Sequence, residues 1–442
     1  MRWSHTLQMV TAVLFVILIC TPAIATTIHI PADAATITEG LAASMAGDTL
    51  LVAPGLYLEH DLIIPAGICL RGATGDPLDV VIDAQQQGRV ITCSDLDELV
   101  RIEALTLTGG LSTMETTGSQ MAGGLLIRTA LAEVSNCRIV DNEAEMEGGG
   151  IACDTGAEVV ITGCLVAGNR SVDGAGIACR ASSPLLENCV IVGNDGLVWG
   201  GALFCRTGAN PRVVGCTLVG NEAHFGAGIW AVDCPDIVVE NSIIAFGLEG
   251  EGIFAYDNPS APSEIRLICC NVFGNEGGGY GGTSQDQTGI DGNIAVHPYF
   301  CDWENFDFTL AADSPCLPVN NDCNTLMGAL GQGCAPVSGV DDTAGNGLPS
   351  VTRLVQNKPN PFNPRTVITF ELAQKEVVTL FIYDARGRRV RDLIAGEFLS
   401  SGVHHITWDG RDGSGRELAS GVYLYRLTSG DGIETRKMTL AK

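Results

Sequence analysis

The fold is decided by a repeat of 26 residues in the middle of the chain. Each copy begins with small residues, continues with an aliphatic residue and ends at a position of variable charge: Gly148-Gly-Gly-Ile-Ala-Cys-Asp154, Gly174-Ala-Gly-Ile-Ala-Cys-Arg180, Gly200-Gly-Ala-Leu-Phe-Cys-Arg206 and Gly226-Ala-Gly-Ile-Trp-Ala-Val232. A fixed period of this length is typical of a solenoid, in which each copy forms one turn that packs against its neighbours.

Side chains within each copy alternate between two faces, as they do along a strand. Ile151 and Cys153 are expected to face the core, while Asp154 is expected to face outward. A turn of this size holds about three short strands and no crossover helix, so each strand should pair in parallel with its equivalent in the next turn. The repeat therefore predicts an all-β protein built on a parallel β-helix.

Polar residues and cysteines recur in the same register. The predicted corner column, where a left-handed backbone is expected, holds Asn136, Gly163, Asn188, Gly215 and Asn241. The predicted amide ladder holds Asn142, Asn169, Asn194, Asn221 and Asn275. The cysteine columns are Cys153/Cys179/Cys205 and Cys137/Cys164/Cys189/Cys216. Stacked turns lie about 4.8 Å apart, but parallel side chains suit a disulfide poorly, so buried thiols are favoured over bridges.

Charge divides the chain into two bodies. The 442 residues carry 51 acidic and 25 basic side chains, a net charge of −26. Residues 26–350 hold 10 Arg, no Lys and 41 acidic residues, so 10 − 41 = −31, whereas residues 351–442 hold 14 basic and 10 acidic residues, so 14 − 10 = +4. Such an acidic body repels phosphate backbones, which excludes nucleic-acid binding.

The first 25 residues have the pattern of a secretory signal peptide. Arg2 precedes an apolar run, and the small-residue site Ala23-Ile24-Ala25 predicts cleavage before Thr26. No later segment is long and apolar enough to span a bilayer. We therefore expect an exported protein, extracellular or on the outer cell surface, with no membrane span after cleavage and with disulfides permitted.

Residues 27–334 carry a recognisable pattern of Gly-Gly-Ala-Ile and Gly-Asn elements. This pattern resembles the repeat of chlamydial polymorphic membrane proteins and the broader pectin-lyase-like, right-handed parallel β-helix family. The start is similar to that family's amino-terminal cap, with an amphipathic stretch at Ile37–Met45 that predicts a short helix over the open end. We assign residues 26–334 to the β-helix with its cap.

Four late cysteines lie outside the 26-residue register. Four cysteines allow three connectivities. We predict bridges between Cys316 and Cys323 and between Cys301 and Cys334.

The tail forms a separate predicted domain. Residues 335–350 are small and turn-rich and predict a linker. In residues 351–442, alternating segments at 367–372, 377–383, 403–408 and 422–427 predict a small antiparallel sandwich. Asn360-Pro-Phe-Asn-Pro364, Trp408-Asp-Gly410 and Ser420-Gly-Val-Tyr423 resemble type IX secretion sorting domains and the immunoglobulin-like module of the flagellar hook-cap protein. The resemblance implies surface delivery by outer-membrane secretion machinery; a plain accessory sandwich is the alternative.

Candidate functional residues lie on the outward side of the repeat. Residues 26–350 lack Lys and the catalytic motifs of pectin-lyase-like enzymes. Outward aromatic and charged residues predict a ligand-binding face: Phe204, Trp230 and Phe254 on successive turns, Trp199 and Phe225 on the preceding bend, and Arg180 and Arg206 beside them. Alternatively, loops such as 274–293 cover these rings. Asp154 and Asp173 are the carboxylates we would test as acid and base.

No metal-ligand spacing appears among the histidines, and no cofactor is expected. Asp286, Asp291 and Asp302 lie in an acidic region that offers oxygen ligands for Ca²⁺, although solvated acidic surface is the simpler interpretation. We expect a non-catalytic surface β-helix protein that binds glycan or acts as an adhesin or structural spacer. The alternative is a polysaccharide lyase or glycoside hydrolase that acts on the same face.

Overall fold

The computed structural model describes residues 25–336 and 352–440, apart from 257, 259–260, 304–305, 361, 363, 373–375, 385, 387, 400–401, 414–415 and 431. The predicted signal peptide and most of the predicted linker lie outside these residues. The described chain forms two compact units, 25–297 with 321–329 and 298–320 with 330–440. Within the described residues, no helix is long and apolar enough to cross a membrane.

The first unit is a parallel β-helix with three sheets running along it. The largest contains Thr27–Ile30, Thr49–Val52, Leu62–Ile63, Cys69–Gly72, Ile91–Glu103, Leu125–Ser135, Ile151–Asp154, Glu158–Thr162, Ile177–Arg180, Leu185–Glu187, Leu203–Arg206, Arg212–Val214, Ile229–Val232, Ile237–Glu240, Ile253–Tyr256, Ile265–Ile268 and Tyr280–Gly282. The second contains Gly55–Tyr57, Val80–Asp83, Thr106–Thr108, Arg138–Val140, Leu165–Ala167, Val190–Val192, Thr217–Val219, Ile243–Ala245 and Asn271–Phe273. The third contains Leu111–Ser112, Glu143–Ala144, Arg170–Asp173, Asp195–Trp199, Glu222–Phe225 and Leu248–Glu249.

Equivalent residues of successive turns pair in register. Ile151 lies opposite Ile177, which lies opposite Leu203 and then Ile229. The predicted parallel stacking is therefore confirmed. One full turn uses four short strands rather than about three, because two of them, such as Ile151–Asp154 and Glu158–Thr162, follow each other within the largest sheet.

The inside of the β-helix is an apolar core that includes the two cysteine columns. Their thiols are buried and reduced, as favoured from the sequence. Each thiol of the second column lies near backbone carbonyls; Cys189 Sγ, for example, donates to Ile161 O at 3.4 Å. These cysteines thus act as small core residues with a weak hydrogen-bond donor.

The corner column is confirmed, and the amide ladder is confirmed from Asn142 to Asn221. Asn275 does not continue it, because Gly247 occupies the intervening turn and donates its backbone N–H to Asn275 Oδ1. Asn194 Nδ2 donates to Asn221 Oδ1 at 2.9 Å and accepts, through its own Oδ1, a bond of the same length from Asn169 Nδ2. At the corner, Asn188 has φ of 53° and Gly215 has φ of 61°. Asn and Gly tolerate this left-handed conformation best, which explains why they alternate there.

A helix covers the start of the first unit. It spans Ile37–Ala43, and the Thr36 side chain caps it by accepting a bond from the Glu39 N–H at 3.1 Å. Ile37 and Leu41 are buried in the core. The predicted amino-terminal helix is therefore present, two residues shorter than the amphipathic stretch.

Disulfides join late segments within each unit. The Cys301–Cys334 bridge is present as predicted. The predicted Cys316–Cys323 bridge is wrong: Cys323 pairs with Cys269, and Cys316 is buried. The prediction left out Cys269 because this residue belongs to the repeat. Residues 321–329 return to the β-helix, where Ala329 N donates to Thr217 Oγ1, and this return brings Cys323 to Cys269.

The second unit contains three small sheets. One is formed by Phe300–Asp302, Asp307–Ala311 and Gln332–Cys334, with a 3₁₀ turn at Pro318–Asn320. The other two are antiparallel, as predicted: Arg353–Leu354, Thr366–Leu372 and Gly402–Trp408 in one, and Glu376–Asp384, Arg389–Leu399, Gly421–Ser429 and Gly432–Leu440 in the other. Phe370, Trp408 and Tyr425 are fully buried in their shared core.

Candidate functional site

Three rows of side chains run along the outside of the β-helix at its glycine turns, and we call them the outer face. The first row, on the bend, is Met121, Glu147, Asp173, Trp199 and Phe225. The second is Ala152, Ala178, Phe204, Trp230 and Phe254. The third is Arg128, Asp154, Arg180, Arg206, Val232 and Tyr256.

Glycines place the first row beside the strand. Gly200 follows Trp199 with φ of 66°, and a Cβ there would lie 2.6 Å from the Leu203 carbonyl oxygen. Only Gly fits such a turn without strain. The glycine that marks each copy of the repeat therefore positions the preceding side chain on the outer face.

The aromatic residues form a stacked cluster. The Trp199 and Trp230 ring centroids are 5.2 Å apart, and those of Phe204 and Trp230 are 5.0 Å apart, with the planes nearly parallel. Tyr256 continues the stack beyond Trp230. These contacts are typical of favourable aromatic pairs and hold the rings rigidly.

The expectation of an exposed row is wrong for two of these rings. Phe204 is 2% exposed and Trp230 is 5% exposed, whereas Trp199 is 38% exposed. Trp199 stacks on both buried rings. The exposed rings of the cluster are therefore Trp199, Phe225 and Tyr256. Trp199 and Tyr256 stack on Trp230, whereas Phe225 contacts Phe254 at a centroid distance of 5.4 Å.

Asp154 is held by two arginines from the turns on either side. Arg128 Nε donates to its Oδ2 at 2.6 Å, and Arg180 Nε and Nη2 donate to the two oxygens at 2.7 and 2.8 Å. Burial alone raises the pKa of Asp154, but the hydrogen bonds from Arg180 and Arg128 outweigh it and lower the pKa to about 2. The proposed acid or base role of Asp154 does not fit this position, because its lone pairs are committed to the arginines.

Glu147 and Asp173 form a second charged group on the first row. Their residues pair on consecutive turns, and Arg206 Nη2 donates to Glu147 Oε1. Burial and then the negative charge of Glu147 raise the pKa of Asp173 to about 7, against an opposing effect of Arg206. Burial likewise raises the pKa of Glu147. Two neighbouring carboxyl groups resist double ionisation, which is why the pKa of Asp173 lies near neutral pH.

The structure brings most of the residues selected from the sequence into this one region. The aromatic side chains lie in the first two rows, together with Asp173: Trp199, Phe204, Trp230 and Phe254. Arg180 and Arg206 lie in the third row, where Arg180 binds Asp154. Sequence reasoning missed Glu147 and Arg128. The register could have found both, because Glu147 lies 26 residues before Asp173 and Arg128 lies 26 before Asp154.

Metal binding gains no support within the described part of the chain. No group of three or more His, Cys, Asp or Glu side chains there is placed to hold an ion. Asp286 instead accepts a bond from the Thr288 N–H at 2.9 Å, and this bond lowers its pKa.

Two segments match known families. Residues 123–295 match the right handed beta helix region, and residues 360–432 match the FlgD Ig-like domain. No curated protein matches the chain.

Solved structures share only distant likeness. One is PorZ, described as an essential bacterial surface component of the type-IX secretion system of Porphyromonas gingivalis, with 19% identity and a TM-score of 0.16. The match covers 20% of this chain and only 11% of PorZ. Another is the pectin methylesterase PemA from Erwinia chrysanthemi, with 13% identity, a TM-score of 0.35 and coverage of 62% of this chain and 92% of that chain. At these values neither transfers a function. The two family matches show that the chain contains a right-handed β-helix region and, after it, a FlgD Ig-like domain.

Proposed function

We propose that this protein is displayed outside the cell and binds a saccharide on the outer face of its β-helix. The observation that carries the proposal is the aromatic platform, a cluster in which Trp199, Phe225 and Tyr256 are exposed and Trp199 and Tyr256 stack on the buried ring of Trp230. Flat aromatic surface stacks on the apolar face of a sugar ring, and rings fixed in advance lose little entropy on binding. The carboxylates and guanidinium groups beside it supply hydrogen bonds for hydroxyls.

Binding is tested by calorimetry of the full chain against a panel of oligosaccharides. Trp199→Ala should remove most of the affinity, because it deletes the exposed ring. Trp303→Ala is the matched control, since Trp303 has a similar exposed fraction but lies in the other unit. Equal affinity of the wild type and Trp199→Ala would refute the platform as the binding surface.

The FlgD Ig-like domain supports the second half of the proposal, surface delivery through the outer-membrane secretion machinery. Deletion of residues 351–442 should leave the protein in the periplasm of the producing cell, detected by fractionation and surface proteolysis. Delivery to the surface without these residues would leave the domain as an accessory sandwich.

Cleavage of a saccharide is a second candidate, favoured by the raised pKa of Asp173. A carboxyl group with a pKa of about 7 can donate a proton at neutral pH. Reducing or unsaturated ends released by the wild type and not by Asp173→Asn would establish the enzyme.

A further inference from the structure

Three buried polar atoms on the outer face have no hydrogen-bond partner. They are Glu147 Oε2, Asp173 Oδ1 and Arg206 Nε, and the Glu147 and Asp173 residues are only 5% and 4% exposed. Buried polar atoms are nearly always paired, so unpaired ones usually mark a site that binds a polar group. Glu147 links the three residues: it pairs with Asp173 between consecutive turns, and its carboxylate accepts a hydrogen bond from Arg206.

The chemistry of these atoms selects the group that they bind. Glu147 Oε2 is an acceptor and Arg206 Nε–H is a donor, while the Asp173 carboxyl group, with a pKa of about 7, donates when it is protonated. A hydroxyl matches this set, because it donates one hydrogen bond and accepts others. A carboxylate or sulfate only accepts, so it would leave Glu147 Oε2 without a donor.

The surrounding charge also disfavours an anionic ligand. Arg128 and Arg180 are committed to Asp154, and Arg206 to Glu147. Residues 26–350 carry a net charge of 10 − 41 = −31, which repels a polyanion as it approaches.

Trp199 follows Asp173 in the first row, one turn further along the β-helix. It is opposite Asp173 in the ladder between consecutive turns, and it is the exposed member of the aromatic stack. A ring stacked on Trp199 therefore presents its rim of hydroxyls toward Asp173 and Glu147. An apolar face with a hydroxyl rim is the shape of a neutral sugar.

We infer that Glu147, Asp173 and Arg206 bind a hydroxyl group of a neutral sugar residue that stacks on Trp199. This inference rests on the proposed saccharide-binding function and adds the class of saccharide. It makes Glu147 and Asp173 ligand-binding residues rather than an acid and base.

The test compares neutral and acidic ligands on the full chain by calorimetry. The probes are galactan and galacturonan tetramers, and gluco-, manno- and xylo-oligosaccharides. At least one neutral probe should bind, and galacturonan should bind more weakly than galactan. Glu147→Ala and Asp173→Ala should each lower the affinity for the neutral probe about tenfold or more, because each removes one of the hydrogen bonds to the ligand hydroxyl. The first row holds Met121 and Phe225 in other turns, so an apolar residue is compatible with folding there.

Asp195→Asn is the matched control, since Asp195 lies in a strand of the third sheet next to that of Asp173 and pairs with Arg170 in a half-exposed position. A monodeoxy analogue of the bound sugar that lacks the recognised hydroxyl should bind the wild type about tenfold more weakly and should lose nothing further in Asp173→Ala, because the two changes remove the same bond.

Each result decides between two outcomes. If Trp199→Ala abolishes binding while Glu147→Ala and Asp173→Ala bind like the wild type, the hydroxyl site is refuted and the aromatic platform stands. Tighter binding of galacturonan than of galactan also overturns the inference. If no probe binds the wild type, the proposed saccharide-binding function fails together with this inference.

Discussion

At the scale of single residues, the outer face shows how position decides the chemistry of a carboxylate. Asp154 and Asp173 are both buried aspartates on successive turns. Asp154 accepts four hydrogen bonds, three of them from arginines, and its pKa falls to about 2. Asp173 faces another carboxylate, and its pKa rises to about 7. Both residues are aspartates, but their neighbours on the adjacent turns differ. Arginines bind Asp154 and keep it ionised, whereas Glu147 lies next to Asp173 and raises its pKa.

The stability of the Asp173 site should depend on pH. Its folded pKa lies above the ordinary value of 3.8, so protonation contributes stability that is present in full below that value and is lost as the pH rises through about 7. Asp173→Asn removes this dependence. The free energy of unfolding of Asp173→Asn minus that of the wild type should therefore increase between pH 4 and pH 8, measured by denaturant titration. A difference that is constant over this range would contradict a raised pKa of Asp173 in the folded protein.

Asp154→Asn should behave in the opposite way. Its lowered pKa contributes stability above the ordinary value of 3.8 that is lost as the pH falls toward about 2. At pH 7 we expect a loss of about 2 kcal/mol in the free energy of unfolding, because charge-assisted bonds from Arg128 and Arg180 are weakened. Asp195→Asn, which breaks only a half-exposed pair with Arg170, should cost less than about 1 kcal/mol. Equal losses in the two variants would argue against the special position of Asp154.

At the scale of elements, the amide ladder fastens one turn to the next. Asn194 donates to Asn221 Oδ1 and to Val166 O at 2.9 and 3.0 Å, and it accepts from the Asn169 backbone at 3.0 Å. These groups are buried where the second sheet passes to the third. Because the turns from Asn142 to Asn221 repeat these contacts, the ladder fixes the register of the turns that carry most of the outer face.

Asn194→Ala should therefore weaken several turns together. It leaves the backbone and side-chain N–H groups of Asn169 and the Val166 carbonyl without their buried partners, which we expect to cost about 3 kcal/mol. Asn188→Gly is the matched control, because Asn188 is an exposed corner residue with φ of 53° that Gly adopts freely. Thermal and denaturant unfolding should separate the two variants; a small effect of Asn194→Ala would show that the ladder contributes little.

At the scale of the whole molecule, charge distinguishes the two predicted bodies. Residues 26–350 carry 10 − 41 = −31, and residues 351–442 carry 14 − 10 = +4. Self-repulsion of like charges destabilises the compact state of the first and hardly affects the second.

Salt should consequently stabilise the β-helix selectively. Raising NaCl from about 0.1 M to about 1 M shortens the Debye length from about 10 Å to about 3 Å and screens the repulsion. Hydrogen exchange of the full chain should slow in peptides from residues 26–297 and change little in those from residues 352–440, which serve as the internal control. Uniform slowing across both would point to a general salt effect.

The sequence by itself determined the fold and the register of its repeat. A period of 26 residues with glycine turns, an asparagine ladder and inward cysteines admits few arrangements other than stacked parallel turns. Only the tertiary structure decided which outward rings remain accessible, which cysteine joins Cys323, and why Asp154 and Asp173 titrate so differently. The reason is physical: the repeat specifies which side chains stack on one another, whereas ring accessibility, disulfide pairing and pKa also depend on burial and on contacts between positions that are not equivalent, such as Trp199 with Trp230, Cys269 with Cys323 and Arg206 with Glu147.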